Sequence, residues 1–210
     1  MHVYYFTNAD YGLAAVRDRR LKVARIHDLN DPFEFLGVEL SDPEFRKALT
    51  ATKRQLSEGN GLLCFSRSWQ HPMLWAHYAD KHRGVCLGFD VIADKLEYVS
   101  YVNSRFPKPD NPRSEAFVHK LLYTKFAHWS YEDEYRLYVS LNEQENGLYF
   151  EPFSDELTLR QVIVGSESPL TRTDVICALG ALASTVEQFK ARPGFKSFKI
   201  VRQQDERLWA

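Results

Sequence analysis

The 210-residue sequence contains only three cysteines, and they lie far apart in the chain. Cys64, Cys86 and Cys177 lack the spacing of a metal-binding motif, and an odd number does not complete a disulfide framework. This usage is typical of proteins in a reducing compartment, so we expect a cytoplasmic location. The sequence also lacks a basic N-terminal leader and any apolar run of about 20 residues, so neither a secretion signal nor contact with a membrane is expected.

The chain has almost no net charge, because 27 Lys and Arg residues balance 28 Asp and Glu residues to give −1. Such a balance excludes a global electrostatic attraction to nucleic acids or anionic membranes, and any such contact would need a local patch. Aromatic residues are abundant at 14% of the chain. That abundance suits a pocket that stacks planar ligands, and it suits a well-filled core equally.

The short motifs of the commonest cofactor sites and nucleophiles are missing. The sequence has no phosphate-binding P-loop, G-x-G-x-x-G, EF-hand loop, H-E-x-x-H helix or G-x-S-x-G elbow. His77 and His82 lie five residues apart, which places them on different sides of a helix, so no metal site is expected. Cys64 and Cys86 lie in apolar runs that disfavour a reactive thiolate. Carboxylates, arginines and aromatic rings therefore remain as the groups available for chemistry.

Residues 129–139 combine these groups most densely. Aromatic and β-branched residues predict a strand there, on which Glu132, Glu134 and Arg136 share one face. A buried charge must be paired, and an arginine can fork onto one carboxylate and leave the other free for a ligand. The segment is interpreted either as a site, suited to a reaction through a sugar cation, or as the solvated face of an edge strand. The flanking aromatic residues favour the site.

The remaining periodicity predicts an α+β fold in a single domain of residues 1–210, with a split mixed or antiparallel sheet flanked by helices. Residues 112–126 are predicted to form a helix that leads into the charged strand, after an irregular excursion over 91–111. The C-terminal region 159–203 is predicted as strand, helix and strand, with 195–201 as the last strand.

Candidate ligand contacts also lie in a polar loop and at the end of a buried strand. The loop with Asn30, Asp31 and Glu34 is interpreted either as a tight turn or as a polar lip over a pocket. Ser66 and Arg67 follow the apolar run of the next strand, at a position where a sheet commonly opens onto its site.

A helix that begins at His71 and ends at Gly84 is predicted to carry Trp75, His77 and Tyr78. Aromatic residues at helical spacing indicate either core packing or a ligand-stacking surface. The polar tips of these side chains need hydrogen-bond partners if they are buried, which keeps the second interpretation open.

Three blocks of sequence, residues 30–34, 73–90 and 129–137, together resemble a prokaryotic family of unknown function, domain family 2971. The order and spacing of these blocks cover the chain from its first strand to about residue 165. The layout is similar to that of ADP-ribosyltransferase-like toxins and defence proteins, which hold NAD in a split sheet with a late glutamate. This resemblance implies an NAD-consuming transferase that modifies a macromolecule, either protein or nucleic acid, in phage defence or as a toxin.

The resemblance also implies roles for individual side chains. Glu134 or Glu132 would bond the ribose hydroxyl and stabilise an oxocarbenium-like transition state. Tyr5 or Tyr4 stands at the first-strand position that such transferases fill with His or Arg. Trp75 or Tyr78 would stack on nicotinamide. Arg67 or Arg83 would face the diphosphate. The other expected ligand contacts are Asn30, Asp31, Glu34, Ser66, His77, Trp129 and Arg136.

A second class of function uses the same residues without a reaction. Stacking aromatic rings and arginines suffice for a module that binds a nucleotide or another small-molecule ligand. The absence of the first-strand His or Arg favours this alternative. An interaction domain with a merely solvated charged strand is the third interpretation.

Overall fold

A computed structural model describes residues 1–209. Its α-helices are α1 (Ala9–Asp18), α2 (Pro43–Gly59), α3 (Pro72–Tyr78), α4 (Glu115–Leu122) and α5 (Arg172–Leu179). Its strands are β1 (His2–Thr7), β2 (Arg20–Arg25), β3 (Asn60–Ser66), β4 (Val85–Val91), β5 (Leu96–Tyr98), β6 (Ser100–Val102), β7 (Thr124–Phe126), β8 (Glu134–Ser140), β9 (Tyr149–Pro152), β10 (Leu157–Val164), β11 (Glu187–Pro193) and β12 (Ile200–Arg202).

The chain forms two compact units, each assembled from separate stretches. Unit 1 contains residues 1–21, 65–93 and the chain from 152 onward, and unit 2 contains 22–64 and 94–151. No helix among residues 1–209 is long and apolar enough to cross a membrane.

Unit 1 is built on the central strand β4. The apolar run from Val85 to Phe89 is buried throughout, as expected for a strand covered on both faces. Strands β1 and β10 pair with β4 in antiparallel orientation, β11 runs parallel to β10, and β12 closes the edge. Helix α1 begins at Ala9 because the Asn8 side chain accepts a hydrogen bond from the Tyr11 N–H at 2.8 Å.

Helix α3 ends at Tyr78 and not at the predicted Gly84. The next turn places Asp80, Lys81 and His82 in the left-handed region, with φ angles of 44°, 54° and 69°. Gly84 then passes so close to β1 that a Cβ atom there would lie 2.1 Å from the Thr7 carbonyl oxygen. The sequence pattern indicated that Gly84 ends this segment. It did not indicate the left-handed turn that precedes Gly84.

Unit 2 is organised around strands β3 and β8. Strand β8 pairs with both β3 and β5, β2 pairs antiparallel with β3, and β6 and β7 form a separate parallel pair. Its core is an apolar cluster that includes Ile26, Phe35, Leu62 and Leu121. Leu62 on β3 and Leu121 on α4 follow the strand and helical periodicity of the sequence, whereas Phe35 reaches the core from a turn.

The α+β class and the mixed, mostly antiparallel strand pairing are confirmed. The extent of one domain over 1–210 stays a prediction, and Ala210 itself lies outside the described residues.

Further element assignments were wrong. Residues 91–111 contain β5 and β6, and the predicted helix 112–126 stops at Leu122 and is followed by β7. The C-terminal region contains the additional strand β11, and residues 195–199 form a loop between β11 and β12. Strands β5, β6 and β7 are only three residues long, and strands this short leave little pattern in a sequence.

Candidate functional site

Arg136 is the centre of a buried ionic cluster in unit 2. It lies on β8 and is only 1% exposed. Its Nε and Nη2 atoms donate to the two carboxylate oxygens of Glu134 at 2.8 and 3.2 Å. Its Nη2 and Nη1 atoms donate to the two oxygens of Glu34 at 2.5 and 3.1 Å. Arg136 therefore forks onto two carboxylates at once.

The guanidinium also secures the end of helix α4. Arg136 Nη1 donates to the carbonyl oxygen of Leu122, the last residue of that helix, at 2.6 Å. A cation at a helix C-terminus is favoured by the helix dipole. With this bond, all five N–H donors of the guanidinium have protein acceptors. No donor of Arg136 is left for a ligand in this arrangement.

Lys125 is the second cation of the cluster and was not predicted as a site residue from the sequence. Its Nζ atom lies 2.5 Å from Glu132 Oε2, 3.2 Å from Glu134 Oε2 and 3.5 Å from Glu34 Oε1. It also lies 4.9 Å from the centre of the Trp129 ring, within the range of a cation–π contact. Three carboxylates and two cations leave one negative charge in excess.

The charges of the cluster are maintained by one another. Burial alone would raise the pKa of Glu134, but Arg136 and Lys125 outweigh burial and lower it to about 2. Burial would lower the pKa of Lys125, but Glu134 and Glu132 outweigh it and raise that pKa above its ordinary value. Burial, with Glu134 next in importance, raises the pKa of the Cys64 thiol well above its usual range, so Cys64 stays protonated.

The local backbone explains how two glutamates two residues apart both reach the cluster. Residues Ala127–Glu132 form a 3-10 helix, and Asp133 adopts the left-handed conformation with φ 43°. Strand β8 begins only at Glu134, so the predicted strand over 129–139 is wrong in its first half. Glu132 belongs to the cluster because it accepts a hydrogen bond from Lys125. It does not lie on a strand.

The interpretation of this segment as a solvated edge is wrong as well. Glu132 and Glu134 are each 4% exposed, and both are ion-paired. The expectation that the second carboxylate stays free for a ligand is likewise corrected, because Glu132 contacts Lys125. No group of three or more His, Cys, Asp or Glu side chains within residues 1–209 is arranged to hold a metal ion.

The polar loop before α2 is both a tight turn and part of the cluster. Asp31 Oδ1 accepts from the Phe33 N–H at 2.9 Å, and the Asp31 carbonyl accepts from the Glu34 N–H at 3.1 Å. This turn directs Glu34 inward to Arg136. Asp31 is buried, and its Oδ2 atom has no hydrogen-bond partner among the described residues.

A pocket with a volume of about 240 Å³ opens beside the cluster, and Lys125 forms part of its wall. Phe33 and Phe126 border this aromatic pocket and are 53% and 40% exposed. The Arg105 guanidinium lies 5.6 Å from the centre of the Phe33 ring. The remaining lining residues are Leu36, Gly37, Val102, Asn103, Ser104 and Thr124.

The fourteen predicted site residues divide equally between the two units. Unit 2 contains Asn30, Asp31, Glu34, Trp129, Glu132, Glu134 and Arg136, and it brings Glu34, Trp129, Glu132, Glu134 and Arg136 together at the cluster. Unit 1 contains Tyr5, Ser66, Arg67, Trp75, His77, Tyr78 and Arg83.

Trp75 is a core residue of unit 1. It is fully buried, its indole N–H donates to the Trp69 carbonyl at 2.6 Å, and it contacts the rings of Phe6 and His82. This packing corrects the expectation that Trp75 stacks on a ligand, because its ring faces are covered by protein.

The other unit 1 candidates have varied surroundings. Ser66 is buried, and its hydroxyl donates to the Ser68 carbonyl at 3.2 Å. Arg83 is exposed and pairs with Asp80 at 3.3 Å. The rings of His77 and Tyr78 contact each other edge-on, Tyr5 packs edge-on to Phe65, and Arg67 is exposed.

The pocket-lining residues were missed for two reasons. Phe33 lies inside the polar loop and was treated as part of the turn, and its exposure could not be read from the sequence. Lys125 and Phe126 were assigned to a helix. The run from Tyr123 to Phe126, which contains Thr124 and two aromatic residues, has the composition of a strand.

Residues 74–137 match the model of a family described as "Protein of unknown function (DUF2971)". No curated protein and no solved structure matches the chain. The matched region includes Lys125, Glu132, Glu134 and Arg136 but not Glu34. Over residues 74–137 the chain is thus similar to the DUF2971 family.

Proposed function

We propose that the protein binds a nucleotide, or a planar small molecule of the same kind, in the aromatic pocket, and that the ionic cluster is the scaffold of this pocket. The observation that carries the proposal is that Lys125 belongs both to the pocket and to the ionic cluster. It forms part of the pocket wall, and its ammonium group is held by Glu132, Glu134 and Glu34. A fixed wall of this kind is what a preorganised ligand site requires.

The lining of the pocket supports a planar ligand. Phe33 and Phe126 expose ring surface at its border, and aromatic rings stack well on nucleobases. Arg105 supplies a cation for a phosphate or another anionic group, and Asn103 and Ser104 supply polar contacts. The cavity is smaller than the range of about 300–1,000 Å³ that is usual for ligand pockets. It therefore suits one ring system, with the rest of a nucleotide lying outside it near Arg105.

An NAD-consuming, ADP-ribosyltransferase-like reaction is the second candidate. It is favoured by the proximity of Glu132 and Glu134 to the pocket, since both contact the wall residue Lys125. Excess negative charge next to a reacting sugar would stabilise an oxocarbenium-like transition state. The reaction would require a glutamate to exchange its cation for a ribose hydroxyl. The macromolecular acceptor, a role in phage defence or toxicity and a cytoplasmic location belong to this proposal.

A thermal-shift experiment with NAD, ADP-ribose and AMP tests the binding proposal. We expect at least one of these ligands to raise the melting temperature of the wild-type protein. Replacement of Phe33 or Phe126 by alanine should weaken binding about tenfold, because base–aromatic stacking is worth about 1–3 kcal/mol. Tyr11→Ala is the matched control, because Tyr11 is an exposed aromatic residue on helix α1 of unit 1.

Two results would contradict the binding proposal. One is the absence of any ligand-induced shift in the wild-type protein. The other is equal affinity in the wild type and in both pocket variants, which would place the ligand elsewhere.

A further inference from the structure

The loop between β11 and β12 exposes two phenylalanines at the tip of a hairpin. The Gly194 N–H donates to the Lys199 carbonyl at 2.8 Å and closes the loop. Phe195 is 88% exposed and Phe198 is 100% exposed. A single exposed apolar residue is ordinary, but two large rings within one short loop indicate an interaction surface.

The same segment is strongly basic. Residues 188–204 contain five cations and no Asp or Glu, in a chain whose net charge is −1. The strand cations are already engaged: Arg202 pairs with Glu187, and Lys190 donates to the Ser168 carbonyl at 3.1 Å. The cations of the loop itself, Lys196 and Lys199, are exposed at its tip.

The aromatic and basic residues of this hairpin tip alternate in a regular way. Each phenylalanine is followed directly by a lysine, first in Phe195–Lys196 and again in Phe198–Lys199. The Arg192 guanidinium covers one face of the Phe195 ring at 3.9 Å from its centre, so that ring is held in place beside a further positive charge.

We propose that this hairpin tip binds single-stranded nucleic acid. Each nucleotide of a single strand offers a base that stacks on an aromatic ring and a phosphate that pairs with a cation. Two ring–lysine pairs in succession match two neighbouring nucleotides in this way. The site is formed entirely by unit 1 and does not depend on the aromatic pocket of unit 2.

An anionic membrane is the main competing partner for a tip with exposed rings and lysines. Within residues 1–209, the backbone N–H and C=O groups of 195–198 form no backbone–backbone hydrogen bonds. Dehydrating these groups among lipids would cost free energy, since the hydrocarbon offers them no hydrogen-bond partners. Stacking with a single strand leaves them in water. The loop backbone thus favours nucleic acid.

Fluorescence anisotropy tests this proposal with labelled DNA and RNA single strands of about 12 nucleotides, the length scale of single-strand binding sites. We expect the full-length protein to bind a single strand more tightly than the corresponding duplex. Phe198→Ala should weaken binding about tenfold, as expected for the loss of one stacked base. In Lys196→Gln/Lys199→Gln, the slope of log affinity against log salt should become less negative by about 1.4, which is 0.7 for each lost phosphate contact.

The matched controls are substitutions of the same kind at exposed positions outside the hairpin. Tyr11→Ala removes an exposed aromatic side chain, and Lys47→Gln removes an exposed lysine, so both should bind as the wild type does. Melting temperatures should stay within a few degrees of the wild type, because every changed side chain is exposed. Comparison of the DNA and RNA strands identifies which of the two binds more tightly.

The proposal is overturned if the wild type binds no single strand, if duplex binds more tightly, or if the hairpin variants retain wild-type affinity. Co-sedimentation with phosphatidylserine vesicles provides the opposing measurement. Vesicle binding that is lost in Phe198→Ala, without binding of any oligonucleotide, would assign the tip to a membrane instead.

Discussion

At the residue scale, the main feature of the molecule is the burial of five charged side chains in one cluster. Glu34, Glu132, Glu134, Lys125 and Arg136 are almost completely excluded from solvent. Burying such groups is unfavourable unless each is paired, and here the pairing is dense enough to use every donor of Arg136. Removing one member should therefore destabilise unit 2, because it leaves a buried charge without its partner.

We expect Arg136→Met to lower the free energy of unfolding by about 3–5 kcal/mol, because it leaves Glu34 and Glu134 buried without their main partner. Urea denaturation measures the change. Arg160→Met is the matched control: Arg160 forms an exposed pair with Asp90, which contributes at most about 1 kcal/mol. Equal losses in the two variants would contradict a special role for the buried cluster.

The stability of the protein should depend on acid pH through Glu134. Its folded-state pKa of about 2 lies below the ordinary value of 4.5, so its contribution is present above the ordinary value and is lost as pH falls toward 2. Unfolding free energies measured across this range should fall more steeply in the wild type than in Glu134→Gln. The exposed Glu44→Gln should retain the wild-type profile, and a wild-type profile in Glu134→Gln would contradict this assignment.

At the element scale, the cluster depends on where two elements stop. Helix α4 ends at Leu122, which lets Lys125 lie on β7, and the left-handed Asp133 separates Glu132 from the start of β8. Neither boundary is marked by a stop signal in the sequence, although the composition of residues 123–126 suits a strand. The apolar positions of the helix run on into Phe126 without a glycine or proline stop, and a left-handed aspartate has no distinctive sequence signal.

Asp133 offers a test of this geometry. Asp133→Gly should keep the free energy of unfolding within about 1 kcal/mol of the wild type, since glycine adopts a positive φ freely. Asp133→Val should lower that free energy by about 1–2 kcal/mol, because the left-handed conformation brings Cβ too close to the backbone. In the control Asp155→Val, an exposed turn residue without a positive φ is replaced, so the change should stay within about 0.5 kcal/mol. A similar loss at both positions would contradict the strain argument.

At the scale of the whole molecule, some sequence signals predicted the fold and the site and others did not. The central strand β4 and the α+β class follow from apolar runs and periodicity, and they were predicted. The charged segment around Glu134 was identified because charges and aromatic residues concentrate there. Glu34 was identified separately, but its pairing with Arg136 joins residues 102 positions apart and has no local signature. The aromatic pocket was missed because its lining combines loop residues with short strands.

The family match likewise covers only part of the molecule. It spans residues 74–137, which include most of the cluster but not Glu34 or Phe33. Evidence about ligands must therefore come from the site itself and not from the similarity. The site contains a ring-sized pocket, and its nearest glutamates are already paired with cations.

Incubation with NAD, with binding and nicotinamide release followed in the same samples, tests the central claim most directly. The wild type, Phe126→Ala and Glu134→Gln should be compared, with melting temperature as the control for folding. A scaffold role for the cluster predicts that the wild type binds NAD, ADP-ribose or AMP, that Phe126→Ala weakens this binding, and that no protein releases nicotinamide above the blank. Release by the wild type, lost in a folded Glu134→Gln that still binds NAD, would contradict this account and make the glutamate a catalytic residue.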